Sequence, residues 1–176
     1  MDKKEKTVQS KLIYDGKVIN VYEDVVKCPN GNIVKREIVK HHGGVCILAV
    51  IDEKIVLEKQ YRYAYDEVLY ELPAGKLEKG EDPKEAGIRE LEEETGYKAD
   101  DLISYGYMYP TCGYSNEIIY LYKATGLSKT KRHLDEDEFI DVVYIEKEKV
   151  KEMLLTNQIV DAKSVCLLSK YFLKEE

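Results

Sequence analysis

The sequence lacks a hydrophobic segment long enough to cross a membrane. Its longest apolar run, residues 45–51, is far shorter than the roughly 20 apolar residues that a spanning helix needs. The N-terminal stretch Met-Asp-Lys-Lys-Glu-Lys contains none of the apolar character that a secretory signal requires. We therefore expect no membrane partner, no export and a cytoplasmic location.

Cysteine is scarce, and basic residues do not predominate. The four cysteines (Cys28, Cys46, Cys112 and Cys166) are widely spaced and form no Cys-x-x-Cys pair. Neither a zinc site nor a disulfide framework is expected, and a reducing cytosol is the natural compartment. The net charge is −7. Because non-specific nucleic-acid binding requires a basic surface, we expect no nucleic-acid partner.

The chain has the size and composition of one ordinary globular domain. Its 176 residues are enough to bury a substantial core, and 44% of them are hydrophobic. The order of elements, strand-rich with one central helix and closing helices, predicts an α+β fold or an α/β/α sandwich with a mixed sheet. The predicted elements are strands and hairpins over 8–40, a hairpin from strands 45–51 and 55–60, helix 83–95, strands 102–109, 118–124 and 140–145, and helices 147–155 and 160–173.

The central helix has clear local start and stop signals. Asp82 suits the N-cap, Pro83 the first helical position and Glu85 the capping-box position three residues after the cap. Gly96 suits the C-terminal cap. These signals predict a helix over residues 83–95.

One face of this helix carries a cluster of carboxylates. Since helical residues advance by about 100° each, Glu90 and Glu94 lie roughly 40° apart, with Glu93 about 60° to the other side of Glu90. Like charges at this spacing oppose helix formation. Such oxygen-rich clusters suit Mg²⁺, and Mn²⁺ accepts similar ligands. The simpler alternative, which the helix by itself leaves open, is a solvated acidic face.

The helix belongs to a longer pattern, G-x5-E-x7-R-E-U-x-E-E-x-G-U, where U is a bulky apolar residue. It runs from Gly75 through Glu81 and Arg89 to Gly96 and Tyr97, with nine specified positions over 23 residues. The chain resembles the Nudix hydrolases, whose signature this is. Tyr97 departs mildly from the aliphatic residue that is usual at the last position.

The resemblance implies an α/β/α sandwich in which a loop-helix-loop holds divalent metals. Transferred to matching positions, it implies that Glu90, Glu94 and the backbone carbonyl of Ala74 are metal ligands. It makes Glu93 a catalytic residue that ligates the metal or supports the cluster through water. Arg89 and Glu81 pair and orient the loop in this reading. Gly75 lets the backbone turn tightly beside the metal.

The segments on either side of this pattern resemble the ADP-ribose pyrophosphatase branch of the family. Before it stand Gln-Tyr-Arg62 and Glu71-Leu-Pro-Ala-Gly. The resemblance gives Arg62 the substrate diphosphate, which a guanidinium can bind in bidentate fashion; the alternative is a surface arginine at a strand end. Arg36 matches a second substrate-binding arginine. In the acidic segment at 134–142, the resemblance implies Glu138 as a metal ligand and Glu136 as the base, with the two roles exchangeable.

The implied activity is Mg²⁺-dependent hydrolysis of ADP-ribose to AMP and ribose 5-phosphate. Two alternatives stay open: a Nudix hydrolase of another nucleoside diphosphate derivative (a nucleotide sugar, a dinucleotide or an oxidised nucleotide), and a non-catalytic module that binds ADP-ribose. Modules of the second kind tend to lose carboxylates that this chain keeps. The resemblance also implies a homodimer. We expect residues 1–40 to form an N-terminal strand region at the dimer interface and residues 41–176 to form the Nudix domain.

Overall fold

The computed structural model describes residues 2–136 and 138–175, which divide into two compact units. The first unit is drawn from Met1–Gly43 and Tyr109–Ile118, and the second from Gly44–Met108 and Ile119–Glu176. Among the described residues, no helix combines the length and apolar character that a membrane span requires.

The first unit is built on an antiparallel three-stranded sheet of β1 (Lys6–Asp15), β2 (Asn20–Lys27) and β3 (Ile33–Lys40). The turn between β2 and β3 contains Gly31 with φ 90°, a conformation that glycine adopts without steric cost. Every residue of β1 is exposed. The predicted strand-and-hairpin character of residues 8–40 is confirmed.

The strands of the second unit are β4 (Gly44–Leu48), β5 (Val50–Ile51), β6 (Lys54–Arg62), β7 (Glu67–Glu71), β8 (Ala74–Lys76), β9 (Tyr97–Lys98), β10 (Asp101–Met108), β11 (Ile119–Thr125), β12 (Ser128–Lys129) and β13 (Ile140–Glu146). Most of them form two larger sheets. In the first sheet, the order is β10–β11–β4–β8; the pair of β11 and β4 is parallel and the other pairs are antiparallel. In the second sheet, β6 pairs with β13, β5 and β7.

The predicted hairpin between strands 45–51 and 55–60 is only partly correct. Its turn is present: Asp52 and Glu53 have φ values of 48° and 61°, as a two-residue hairpin turn of type I′ requires, and they join β5 to β6. However, the run at 45–51 is split between two strands. Its larger part, β4, pairs with β11 and β8 in the other sheet. The apolar run showed that the segment is buried, but it did not identify the pairing partner.

The helices are α1 (Pro83–Thr95), α2 (Lys147–Leu155) and α3 (Ala162–Glu175). The bounds of α1 and α2 agree with the predicted ranges. The third helix starts two residues later than predicted, because Asp161 lies just before it and its carboxylate accepts a hydrogen bond from the Ser164 backbone N–H at 3.0 Å.

Alternating side chains of the central strands build a core on each side of the sheet. Ile47 of β4 packs in a buried cluster with Leu91 of α1. Its neighbour Leu48 packs in a second cluster with Val150 of α2 and Leu167 of α3. This alternation follows from the two-residue period of a strand. The predicted α+β fold, an α/β/α sandwich with a mixed sheet, is confirmed.

Candidate active site

Helix α1 carries the carboxylates and has the predicted caps. Asp82 is extended (φ −69°, ψ 129°), and its side chain accepts hydrogen bonds from the backbone N–H groups of Lys84 and Glu85 at 2.9 and 3.2 Å. Gly96 adopts the left-handed conformation (φ 71°), and its N–H donates to the Glu92 carbonyl at 2.9 Å. Both ends of the helix are therefore fixed by local contacts.

Of the three carboxylates on this face, Glu94 is buried and Glu90 is mostly buried. The exposed fraction is 3% for Glu94 and 14% for the side chain of Glu90, whereas it is 40% for the side chain of Glu93. The alternative of a fully solvated acidic face is therefore wrong. The Glu94 Oε2 accepts a hydrogen bond from the Ala74 backbone N–H at 2.9 Å. This bond connects α1 to β8, the short strand that also carries the Ala74 carbonyl.

Glycine is required at position 75 because the Glu90 carboxylate lies against its Cα. A Cβ built on Gly75 would be 1.9 Å from the Cδ of Glu90 and 2.1 and 2.3 Å from its two oxygens. Gly75 does not have the positive φ of the glycines at turns in this chain. The expectation that it serves a tight backbone turn is wrong; its role is to leave space for a side chain from α1.

Arg89 organises the outer part of the carboxylate cluster. Its Nε and Nη2 donate to the two oxygens of Glu81 at 2.9 and 3.0 Å, and its Nη1 lies 2.9 Å from both Glu90 Oε1 and Glu93 Oε2. The predicted pairing of Arg89 with Glu81 is confirmed. Arg89 holds the pKa of Glu81 below its usual value through these hydrogen bonds. The arginine thus links the loop after β8 to the helix.

Burial disfavours the charged forms of Glu90, Glu94 and Glu58. Burial, followed by the charge of Glu58, raises the pKa of Glu94 well above its usual value, and burial also raises the pKa of Glu90. Glu58 on β6 is 3% exposed, and burial raises its pKa to about 8. Within residues 2–136 and 138–175, its Oε1 has no hydrogen-bond partner. A cation bound beside these groups would relieve their mutual repulsion.

The loop that carries Glu136 and Glu138 is hydrogen-bonded to the C-terminal cap of α1 and to β13. Thr130 N–H donates to the Gly96 carbonyl at 2.8 Å, and Arg132 Nη2 donates to the Ile140 carbonyl at 2.6 Å. Glu138 is partly buried, and its negative charge raises the pKa values of Glu90 and Glu94. Glu138 is therefore near enough for its charge to act on Glu90 and Glu94, although no direct contact joins them in the described part of the chain.

Glu136 has a different environment from Glu138. It is exposed in the same turn, which the Glu138 N–H closes by donating to the Asp135 carbonyl at 3.1 Å. The partly buried carboxylate suits a ligand, and the exposed one suits a group that exchanges protons with solvent. The two side chains thus differ in exposure, and their roles as metal ligand and base stay predictions.

The chemistry of the donors fits a hard divalent cation. Carboxylate and carbonyl oxygens are the ligands that such ions take, and the raised pKa values show that the site disfavours further negative charge. In the described part of the chain, however, no three His, Cys, Asp or Glu side chains converge on one point as they stand. Glu90 turns towards Arg89.

Arg62 is held at the end of β6 by a buried carboxylate. Its Nε and Nη2 donate to the two oxygens of Glu71 on β7, at 2.5 and 2.7 Å. The Arg62 side chain is 38% exposed, whereas that of Glu71 is 3% exposed. Arg62 is thus a partly exposed arginine at a strand end, as the alternative has it, but one that Glu71 holds in place; its contact with substrate stays a prediction. The Arg62 Nη1 takes no part in either bond to Glu71, so this partly exposed side chain keeps a donor that can meet a phosphate.

Arg36 belongs to the first unit and lies on β3. Its Nη2 and Nε donate to the two oxygens of Glu5 at 2.7 and 3.2 Å. In this structure its guanidinium is thus engaged by a carboxylate of its own unit. Its assignment to substrate stays a prediction.

Sequence reasoning missed four charged residues of this region. Glu58 and Glu71 face each other on adjacent strands, Arg132 ties the acidic loop, and Lys163 pairs with Glu71. The available signal was a glutamate at the end of the apolar run Ile-Val-Leu-Glu58, where a buried strand gives no reason for a charge. The other three depend on contacts between distant segments.

A family model, related proteins and a solved structure each match most of this chain. The family model described as the NUDIX domain matches residues 40–168. The chain is 44% identical over 174 residues to an ADP-ribose pyrophosphatase of Bacillus subtilis, covering 97% of this chain and 94% of that protein. It is 42% identical over 177 residues to a methanol dehydrogenase activator of Bacillus methanolicus, with the same coverage. A crystal structure of an ADP compounds hydrolase shares the fold with a TM-score of 0.83 at 21% identity, covering 98% of this chain and 95% of that one.

Proposed function

The chain belongs to the Nudix domain family, and we propose that it hydrolyses ADP-ribose to AMP and ribose 5-phosphate. The substrate is supported by the 44% identity, over nearly the whole chain, to a relative named ADP-ribose pyrophosphatase. The observation that carries the catalytic assignment is a carboxylate pair, with Glu90 packed against Gly75 and Glu94 buried against Ala74. The chain thus keeps the carboxylates that non-catalytic modules tend to lose.

We assign the site residues to two tasks: some hold divalent cations, and Arg62 binds the substrate's diphosphate directly. We assign Glu90, Glu94, Glu138 and the Ala74 carbonyl to holding divalent cations, Mg²⁺ in the first place and Mn²⁺ in the second. Such a cation, when bound, offsets charge on the phosphate oxygens and lowers the pKa of a coordinated water. Arg62 binds diphosphate oxygens through the edge of its guanidinium that Glu71 leaves accessible.

The remaining carboxylates act on protons and on orientation. Glu136, exposed in its turn, accepts a proton from the attacking water once it comes within hydrogen-bond reach. The water oxygen then forms the new bond to one phosphorus, and the oxygen bridging the two phosphorus atoms leaves with the other phosphate. Glu93 supports this arrangement through its contact with Arg89 at 2.9 Å. We assign Arg36 to the substrate as a second diphosphate contact.

Product analysis tests this function directly. The protein is incubated with ADP-ribose and Mg²⁺, and nucleotide products are separated by ion-exchange chromatography. AMP formation that stops when the metal is chelated is the expected result. A panel of a nucleotide sugar, a dinucleotide and an oxidised nucleotide runs beside it. Faster turnover of one of these by an order of magnitude would replace ADP-ribose as the substrate, and binding of ADP-ribose without turnover would identify a binding module.

We also propose that the protein is a cytoplasmic homodimer whose interface includes the N-terminal strand region. Strand β1 supports the dimer, because its large apolar side chains are exposed, with 63% exposure for Val8, 45% for Leu12 and 56% for Ile13. The cytoplasmic location is supported by four cysteines that are all free. Light scattering behind a size-exclusion column tests the dimer.

A further inference from the structure

We propose that Lys163 is a positioning residue for Arg62, and that it acts through the carboxylate of Glu71. The inference rests on the proposed function in one respect, because it takes Arg62 as the group that meets the substrate's diphosphate. It extends the group of residues that hold this arginine in place to the first turn of α3.

The three side chains form one continuous ion-pair network. Glu71 receives Arg62 on both oxygens, at 2.5 Å for Oε1 and 2.7 Å for Oε2. The Lys163 ammonium group donates to the same Oε2 from the opposite segment of the chain. Exposure falls from 38% for the Arg62 side chain to 12% for Lys163 and 3% for Glu71. Only the arginine end of the network faces solvent.

Lys163 fixes the place of the carboxylate that holds Arg62. Its ammonium group contacts the Glu71 Oε2, the same oxygen that accepts from Arg62 Nη2, so both cations depend on one orientation of this side chain. Asp161 Oδ2 lies 3.0 Å from the Lys163 Nζ and also accepts hydrogen bonds from the N–H and the hydroxyl of Ser164 at the start of α3. The two cations and two carboxylates of this network carry no net charge together. Lys163 therefore acts by position, and its loss would leave two carboxylates beside a single arginine.

The start of α3 is fixed against the strand that carries Glu71. The Leu72 backbone N–H, which follows β7 directly, donates to the Ser164 hydroxyl at 2.7 Å. Lys163 and Ser164 are neighbours on the first turn of the helix, so this bond fixes the distance between the ammonium group and Glu71. All three groups keep their charge: although burial opposes it, Arg62 and Lys163 hold the pKa of Glu71 below its usual value, and nearby carboxylates raise the pKa of Lys163.

A double-mutant cycle separates positioning from a merely structural role. Lys163→Met, Arg62→Met and the double variant are compared with the wild type, and KM and kcat for ADP-ribose are measured at saturating Mg²⁺ with the unfolding temperature of each protein. If Lys163 acts through Arg62, Lys163→Met raises KM about tenfold in the wild-type background and has little further effect once Arg62 is gone. Lys163→Arg, which keeps the cation, should retain most of the affinity.

Lys170→Met is the matched control. Lys170 lies two turns further along α3 and donates to the Tyr105 carbonyl at 2.9 Å, so its loss tests helix perturbation without touching Glu71. Its KM should equal that of the wild type. An equal rise in KM from Lys163→Met in both backgrounds would show that the lysine acts independently of Arg62, and would overturn the proposal. An unchanged KM in the wild-type background would overturn it as well.

Failure of the proposed function has a separate signature. A wild-type protein that leaves ADP-ribose intact but hydrolyses another member of the panel defeats the substrate assignment, and the cycle is then measured with that substrate, which shares the diphosphate. If nothing is hydrolysed, the four proteins are titrated with inorganic pyrophosphate and Mg²⁺ by calorimetry. Non-additive losses in Kd support the positioning role; additive losses, or no binding by the wild type, overturn it.

Discussion

Replacing Gly75 by alanine tests whether the Glu90 carboxylate must occupy its observed place. A methyl group at this position would stand 1.9 Å from the Cδ of Glu90, whereas carbon atoms in contact are about 3.5–4.0 Å apart. Glu90 must therefore shift by about 1.5 Å or more, since its neighbour on β4 restrains the backbone of Gly75. Gly75 does not have a positive φ, so alanine introduces no conformational strain of its own.

The expected effect on activity is large and the effect on stability is moderate. A displacement of about 1 Å in a catalytic group can reduce the rate by about 100-fold, so kcat/KM for ADP-ribose should fall by at least that factor. Overpacking of this kind costs about 1–3 kcal/mol of the free energy of unfolding. Steady-state rates of AMP formation and thermal unfolding followed by circular dichroism measure the two quantities.

A second substitution shows whether the clash with Glu90 is the cause. In a Gly75→Ala/Glu90→Ala double variant the overlapping carboxylate is removed, so the unfolding temperature should recover while the activity stays low. Gly113→Ala is the control, because a Cβ there meets nothing within 4 Å. A Gly75→Ala protein with activity within threefold of the wild type would refute the reasoning.

Three further predictions concern the buried carboxylates and the N-terminal sheet. Glu94→Gln should lower kcat by at least about 100-fold yet raise the unfolding temperature at pH 8, because the neutral amide still accepts the Ala74 N–H and has no charge to bury; a destabilised variant would contradict this. For Glu58, whose pKa rises to about 8 in the fold from a usual value of 4.5, the folded state keeps a proton that the unfolded chain releases. Stability of the metal-free protein should therefore fall as pH rises from 4.5 to 8, and the fall should be smaller in Glu58→Gln when denaturant midpoints are compared. Leu12→Glu, on exposed β1, should convert the dimer to a monomer in light scattering, and a wild-type monomer would exclude the proposed interface.

The elements that could be predicted residue by residue are those whose signals are local. Helix α1 begins after Asp82 and ends before Gly96, and both residues act through hydrogen bonds to groups within four positions of themselves. Strand β4 shows the contrast. Its apolar run indicated burial, but its partners β11 and β8 come from other parts of the chain. Pairing depends on the whole topology, so the hairpin with β6 was predicted over too long a range.

The same distinction applies to the site. Glu90, Glu93 and Glu94 could be placed on one face because they share a helix whose period is fixed. Glu58 and Glu71 could not be placed opposite each other, because their register arises only when β6 and β7 pair. Lys163 lies 92 residues from Glu71. The reason for glycine at position 75 could not be predicted either, because the sequence does not show which distant side chain packs against a residue that has no Cβ.

Some of the site's carboxylates have an arginine nearby and others do not. This difference indicates at which carboxylate a bound cation would stabilise the fold most. Arg89 contacts the carboxylates of Glu90 and Glu93, and the charge of Arg132 lowers the pKa of Glu58 against the effect of burial. Within residues 2–136 and 138–175, Glu94 has the Ala74 N–H but no paired cation, and it is among the most deeply buried of the group. Because a lone buried carboxylate is costly, a divalent ion bound at Glu94 would stabilise the fold more than one bound at any of the carboxylates that already have an arginine.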